Sequence, residues 1–258
     1  MTMDIAAVRA GSVRHEGAVV LLQGAAVLHG LPCPWLGGWQ GPLVLKGGKG
    51  HRQYSAARLV RRRVDPVDIV IVDGVRCTSP ARTALELATM MPLEDSLVLL
   101  DAAGRTGHLS RDDLRSDAHR EGLRQQYAQV LLRMRGMPGI DAARRAASLA
   151  DPAAESAPES RARGLILRWG WPAPVVGHEM RGGDGRTYYV DLAWPSLGIV
   201  LEIDGATKYN EVSVLMAEKR REDALRETGA RFFRAIAGDL WSDARVALGR
   251  VGRAVHGG

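Results

Sequence analysis

Three carboxylates crowd one short apolar run of this 258-residue chain. In TYYVDLAWPSLGIVLEIDGATKYN, residues 187–210, alternation along Ile199–Asp204 sends Ile199, Leu201 and Ile203 to one face of a strand. Val200, Glu202 and Asp204 go to the other. A carboxylate inside an apolar strand is costly to bury unless it is paired, protonated or bound to a cation. Asp191 ends the preceding strand and Trp194-Pro195-Ser196 turns the chain back, so an antiparallel neighbour sets Asp191 beside Glu202. Such a cluster is hard and oxygen-rich, and it suits Mg²⁺ or Mn²⁺. A divalent ion there lowers the pKa of a bound water and screens charge developing on a phosphoryl group. Two neighbours each have two readings. Asp204, before Gly205, is either a turn-former or a further ligand. Lys208 is either a solvated lysine or the group that orients the attacking water or stabilises the pentacoordinate phosphate.

Positioning these residues requires an α/β unit. Ser156-Ala157-Pro158-Glu159 has the form of a capping box and opens a helix from Pro158 to Trp169. Strands are expected at Val175–Met180, Thr187–Leu192 and Ile199–Asp204. A long helix follows from Ser213 to Thr228, then a strand Arg231–Ala235 and a last helix from Asp239. The order α-β-β-β-α-β-α is a three-layer plan. Upstream, DPAAESAP at 151–158 reads as a domain boundary, giving domains 1–150 and 156–258. The first domain is expected to be small and α+β or helical. A helix is expected over 16–29, and short strands at Leu43–Leu45, Ala57–Arg63, Asp68–Val72 and Val75–Cys77. Asp73-Gly74 turns the last two into a hairpin. Ser79 then caps a helix with Pro80 at its first position, and helical patterning continues to Ala150.

The formal net charge is +6 and the isoelectric point about 9.7. The surplus is clustered in Arg61, Arg62 and Arg63 and in Lys219, Arg220 and Arg221. Arg61 and Arg63, with Lys219, Arg220 and Arg221, are therefore candidates for phosphate contacts to nucleic acid. Two cysteines, Cys33 and Cys77, build neither a disulfide framework nor a zinc site, which suits a reducing compartment. His15-Glu16 does not extend to HExxH. No secretory signal pattern opens the chain, and no run approaches the ~20 apolar residues a membrane span needs. A cytoplasmic location is expected.

The motif VDLAWP…VLEIDG, with SAPESRARGLILRWGWPAP before it and EKRREDALRETGARFFR after it, resembles the PD-(D/E)xK nuclease superfamily. Within it, the resemblance is to the branch of very-short-patch-repair endonucleases. It implies a restriction-endonuclease-like fold for the C-terminal third, with Asp191 and Glu202 as metal ligands and Glu159 as a further ligand from the opening helix. Asp204 stands where the core lysine of that signature stands, so a lysine role passes to Lys208 or is absent. The segments AAVLHGLP, RRRVDPVDIVIVDGVRCTSPARTALELA and EDSLVLLDAA resemble AbiEi-type antitoxins of type IV toxin–antitoxin systems. Together the resemblances imply an Mg²⁺-dependent DNA endonuclease or nickase that hydrolyses phosphodiester bonds. The alternative is a non-catalytic AbiEi-like antitoxin or regulator that binds nucleic acid, or a protein partner through its N-terminal domain.

Overall fold

The computed structural model of the chain describes residues 18–33, 43–45, 52–54, 57–60, 63–107, 109–205 and 212–257. The chain divides into two compact units, Met1–Pro152 and Ala153–Gly258. Each has its own apolar core.

In the first unit, six strands among the described residues form one mixed sheet: β1 (Val19–Leu21), β2 (Leu43–Leu45), β3 (Arg52–Tyr54), β4 (Ala57–Val60), β5 (Ile69–Val72) and β6 (Val75–Thr78). Their order is β3-β4-β2-β1-β6-β5. The helix expected over 16–29 is corrected here: β1 takes the start of that run, and helix α1 covers only Leu22–Leu28. Val19, Val20, Leu21 and Leu22 are all buried. A run that is apolar on every side carries no period to separate helix from strand, and the β-branched valines pair between β2 and β6. Between β5 and β6, Asp73 (φ 48°) and Gly74 (φ 80°) both adopt positive φ, the requirement of a two-residue hairpin turn of mirror-image type.

Helices α2 (Pro80–Ala88), α3 (Leu93–Gly104), α4 (Arg111–Arg115), α5 (Asp117–Arg133) and α6 (Ile140–Leu149) complete this unit. Ser79 caps α2, its Oγ accepting the Arg82 N–H at 3.3 Å. Leu85, Leu87, Leu99, Leu100 and Met134 fill the shared core, each such side chain contributing roughly 1.5–3 kcal/mol on full burial. Tyr127 is buried among them because its hydroxyl donates to the Leu100 carbonyl at 2.6 Å.

The second unit runs α7 (Ala157–Arg168), β7 (Val175–Arg181), β8 (Thr187–Trp194), β9 (Ile199–Asp204), α8 (Val212–Arg226), β10 (Arg231–Ile236), α9 (Asp239–Ser242) and α10 (Ala244–His256). The sheet order is β10-β9-β8-β7. β7, β8 and β9 are antiparallel neighbours, while β10 lies parallel to β9 after the crossover through α8. Apolar residues of α7 and α10 share a core with Leu192, Trp194, Ile199 and Leu201. A second cluster gathers Val190, Ala193 and Val200 with Leu225 of α8. The sheet is thus apolar on both faces, which is why carboxylates within it stand out.

Candidate functional site

The antiparallel ladder between β8 and β9 is regular at Trp194↔Ile199, Ala193↔Val200 and Leu192↔Leu201. The next positions in that register are Asp191 and Glu202, and there the ladder gives way to side chains. The Ile203 N–H donates to the Asp191 carboxylate at 2.7 Å. Arg221, from α8, donates through Nη2 both to the Tyr189 carbonyl at 2.8 Å and to Glu202 Oε1 at 2.9 Å. One guanidinium therefore bridges the two strands where they part. Backbone groups released by the opening are satisfied by an acid and a base, as partly buried polar groups must be.

The electrostatics follow from that crowding. Partial burial, the Glu202 charge and the Glu159 charge push the Asp191 carboxyl up to about 8, against the opposing pull of the Ile203 N–H and Arg221. Acids crowded at close quarters disfavour one another's charged form, and burial adds to that effect at Asp191. Glu202 is held by Arg221 instead.

The other sequence candidates have partners of their own or lie elsewhere. Ser156 is the N-cap of α7, its Oγ accepting the Glu159 N–H at 3.3 Å. The Glu159 carboxylate reaches back to accept from the Glu155 N–H at 2.7 Å and from Ser156 Oγ at 2.6 Å, in place of the Ser156 N–H of a full capping box. Asp204 pairs with Arg234 at 3.6 Å. Lys219 and Arg220 are exposed on α8, whereas Arg221 of the same basic triplet is turned inward to Glu202; Arg63 is exposed. Lys208 and Arg61 lie outside the described residues. Among the described residues, no group of three or more His, Cys, Asp or Glu side chains is placed to hold a metal ion. Asp191 and Glu202 are two carboxylates close enough for the charge of one to act on the other. Mg²⁺ commonly uses only one or two protein carboxylates and keeps its waters.

Comparison with known proteins bears on the other unit. Residues 18–134 match the family model of the AbiEi antitoxin C-terminal domain. The match runs from β1 to the residue after α5, covering the mixed sheet and the first helices packed with it. Two Mycobacterium tuberculosis proteins, the uncharacterised MT2308 of strain CDC 1551 and Rv2248 of strain H37Rv, are each 29% identical over 182 residues. That alignment takes in 70% of this chain and spans 62% of each relative's length. No solved structure matches the chain.

Inside the AbiEi-matching segment the structure gathers charged residues that the sequence reading passed over. Asp68 and Glu86 both bond to Arg82, and Arg133 grips Asp68 as well. The signal was available: Arg82 and Glu86 stand four apart on a helix whose other positions are mostly apolar. A charge pair at that spacing with no polar face around it marks a buried ion pair. No described helix is long and apolar enough to cross a membrane.

Proposed function

We propose that the chain is a non-catalytic AbiEi-type antitoxin or regulator that binds nucleic acid. The observation that carries this reading is the match of residues 18–134 to the AbiEi antitoxin C-terminal domain. In the second unit Glu202 is already paired with Arg221, which is consistent with a structural use of that acid. The exposed Lys219 and Arg220, with Arg63 in the first unit, are the residues proposed to contact phosphates. Counterion release would then supply most of the binding. A mobility-shift assay with DNA upstream of the protein's own gene, in EDTA, tests this. A shift that weakens in K219A/R220A is the expected result. Absence of any nucleic-acid binding would overturn it.

A second reading is favoured by one observation, the closeness of Asp191 and Glu202 just past the end of the β8–β9 ladder in an α-β-β-β-α-β core with strand order β10-β9-β8-β7. That arrangement supports a PD-(D/E)xK-type nuclease in which Asp191 and Glu202 hold Mg²⁺ or Mn²⁺, flanked by Glu159 and Asp204. The bound ion would supply an ionised water and neutralise charge on a phosphodiester. Arg221 would orient Glu202, and the Ile203 N–H would fix the Asp191 carboxylate. Nicking of supercoiled plasmid with Mg²⁺, abolished in both D191A and E202A, is the expected result for this reading. Equal inertness of the wild type and both variants refutes it.

A further inference from the structure

We propose that the first unit carries a binding pocket for a phosphoanhydride, and that a nucleoside di- or triphosphate is the ligand class it takes. The inference goes beyond the reading above and uses none of its residues except Arg63. A cavity of about 590 Å³ is lined by Arg63, Arg82, Arg133 and Arg135, with Asp65 and Met137. The four arginines come from three places in the fold. Arg63 lies just before the turn that leads into β5, Arg82 is on α2, and Arg133 and Arg135 close α5 and start the turn after it.

Asp68 draws two of them together. Its Oδ2 accepts from Arg82 Nη1 at 3.1 Å, and Arg133 donates to its Oδ1 through Nη2 at 2.6 Å and through Nε at 3.1 Å. Glu86 accepts from Arg82 Nε at 2.8 Å. These bonds balance the charge of Arg82 and Arg133 but do not use up their donors. Arg82 is only 1% exposed, and among the described residues its Nη2 meets the Met137 thioether at 3.9 Å and no better acceptor. A thioether is a weak acceptor, so a buried guanidinium edge is left under-used beside the cavity. Arg133 spends Nε and Nη2 on Asp68 and keeps Nη1.

Arg63 and Arg135 have no structural duty of this kind. Neither has an ion-pair partner among the described residues. Asp65, the acidic residue of the lining, accepts the Val67 N–H at 3.1 Å as the cap of its own turn. Asp68 and Glu86 answer Arg82 and Arg133, and Asp65 adds one more negative charge near Arg133, so the lining keeps a net positive charge. Two further guanidiniums at one concavity answer to a multiply charged anion instead. Planar guanidinium forks match phosphate oxygens in pairs. One carboxylate would leave most of these donors unanswered. The volume is that of a small-molecule site, and Met137 with the apolar part of the lining offers a wall for a base or sugar.

Calorimetric titration of the full chain with inorganic pyrophosphate, ATP and adenosine tests the proposal. Pyrophosphate and ATP are expected to bind with Kd values between about 1 μM and 1 mM, and adenosine not at all. R63A/R135A removes exposed, unpaired side chains, so it is expected to keep the wild-type circular dichroism and weaken both phosphates by at least about tenfold. D191N leaves these affinities unchanged, which separates this site from the acidic pair of the second unit. Three results would overturn the pocket. They are silence toward both phosphates at about 1 mM, equal binding by R63A/R135A, and binding of a 5′-phosphorylated oligonucleotide without any small phosphate.

Discussion

Asp191 is the residue whose ionisation has the clearest consequence. Its carboxyl is pushed up to about 8 in the folded chain, while an unfolded aspartate ionises near 4. Between those values the unfolded chain has released a proton that the folded chain still holds, so stability falls as pH rises. The loss begins near pH 4 and levels off above about 8, with a slope of at most ~1.4 kcal/mol per pH unit for one proton. Asp191→Asn keeps an oxygen for the Ile203 N–H and removes the titration. Urea unfolding from pH 5 to 8.5 is expected to show a flatter profile and a higher midpoint at pH 8 for the variant. An unchanged slope would mean that Asp191 is not the group responsible. Arg82 is the opposite case, a buried cation matched by Asp68 and Glu86. Arg82→Met is expected to cost about 3–5 kcal/mol, because two carboxylates lose their shared guanidinium. A loss under 1 kcal/mol, measured by the same unfolding assay, would contradict that account.

At the scale of elements, two glycines with nearly the same backbone make a paired test. Gly139 (φ 77°) precedes α6, and a Cβ there would run into the backbone carbonyl of Thr89 just beyond α2. Gly136 (φ 81°) follows α5 and has open space around it. Gly136→Ala is expected to cost only the strain of the left-handed backbone, about 1 kcal/mol. Gly139→Ala adds a backbone collision and is expected to cost at least about twice as much. Thermal melts of the two variants compare them directly, and equal costs would refute the close approach. The N-cap of α7 offers a milder change. Ser156→Ala removes the oxygen that accepts the Glu159 N–H and is expected to cost about 1 kcal/mol. Glu159→Gln is expected to lower the melting temperature and, by removing one of the charges that raise the Asp191 carboxyl, to move the pH profile set by Asp191 toward lower pH.

For the whole molecule, the surplus of +6 and the isoelectric point of about 9.7 favour polyanions. Nucleic-acid affinity is therefore expected to fall steeply between about 50 and 200 mM salt. Filter binding across that range reads it, and a flat response would indicate contacts that are not ionic. The phosphate pocket of the first unit and the acidic pair of the second make separate demands on ligand charge. Mn²⁺ supplies another measurement. If Asp191 and Glu202 accept a cation, Mn²⁺ raises the melting temperature at pH 7.5 in wild type and not in Asp191→Asn.

Local chemistry was legible wherever neighbours in sequence are neighbours in space. The Asp73-Gly74 turn, the Ser79-Pro80 start of α2 and the Ser156 cap of α7 could be read directly, because each is satisfied within four residues. The strand that carries Ile199–Asp204 and the closeness of Asp191 and Glu202 were legible too, since a short turn joins β8 to β9. The run at 19–22 was not, because a segment buried on all sides loses the polar marks that set a period. Nor was the fate of Arg221. On its helix it belongs to a basic triplet with Lys219 and Arg220, and only packing of α8 against the parted strands turns it to Glu202. The four arginines of the pocket span 63 to 135, and no local pattern links them; Asp68 does that in three dimensions. The sequence by itself determined which acids share a strand pair. Tertiary structure decided that a guanidinium already holds one of them and that burial raises the carboxyl of the other, since counter-charge and desolvation are properties of what packs around a residue.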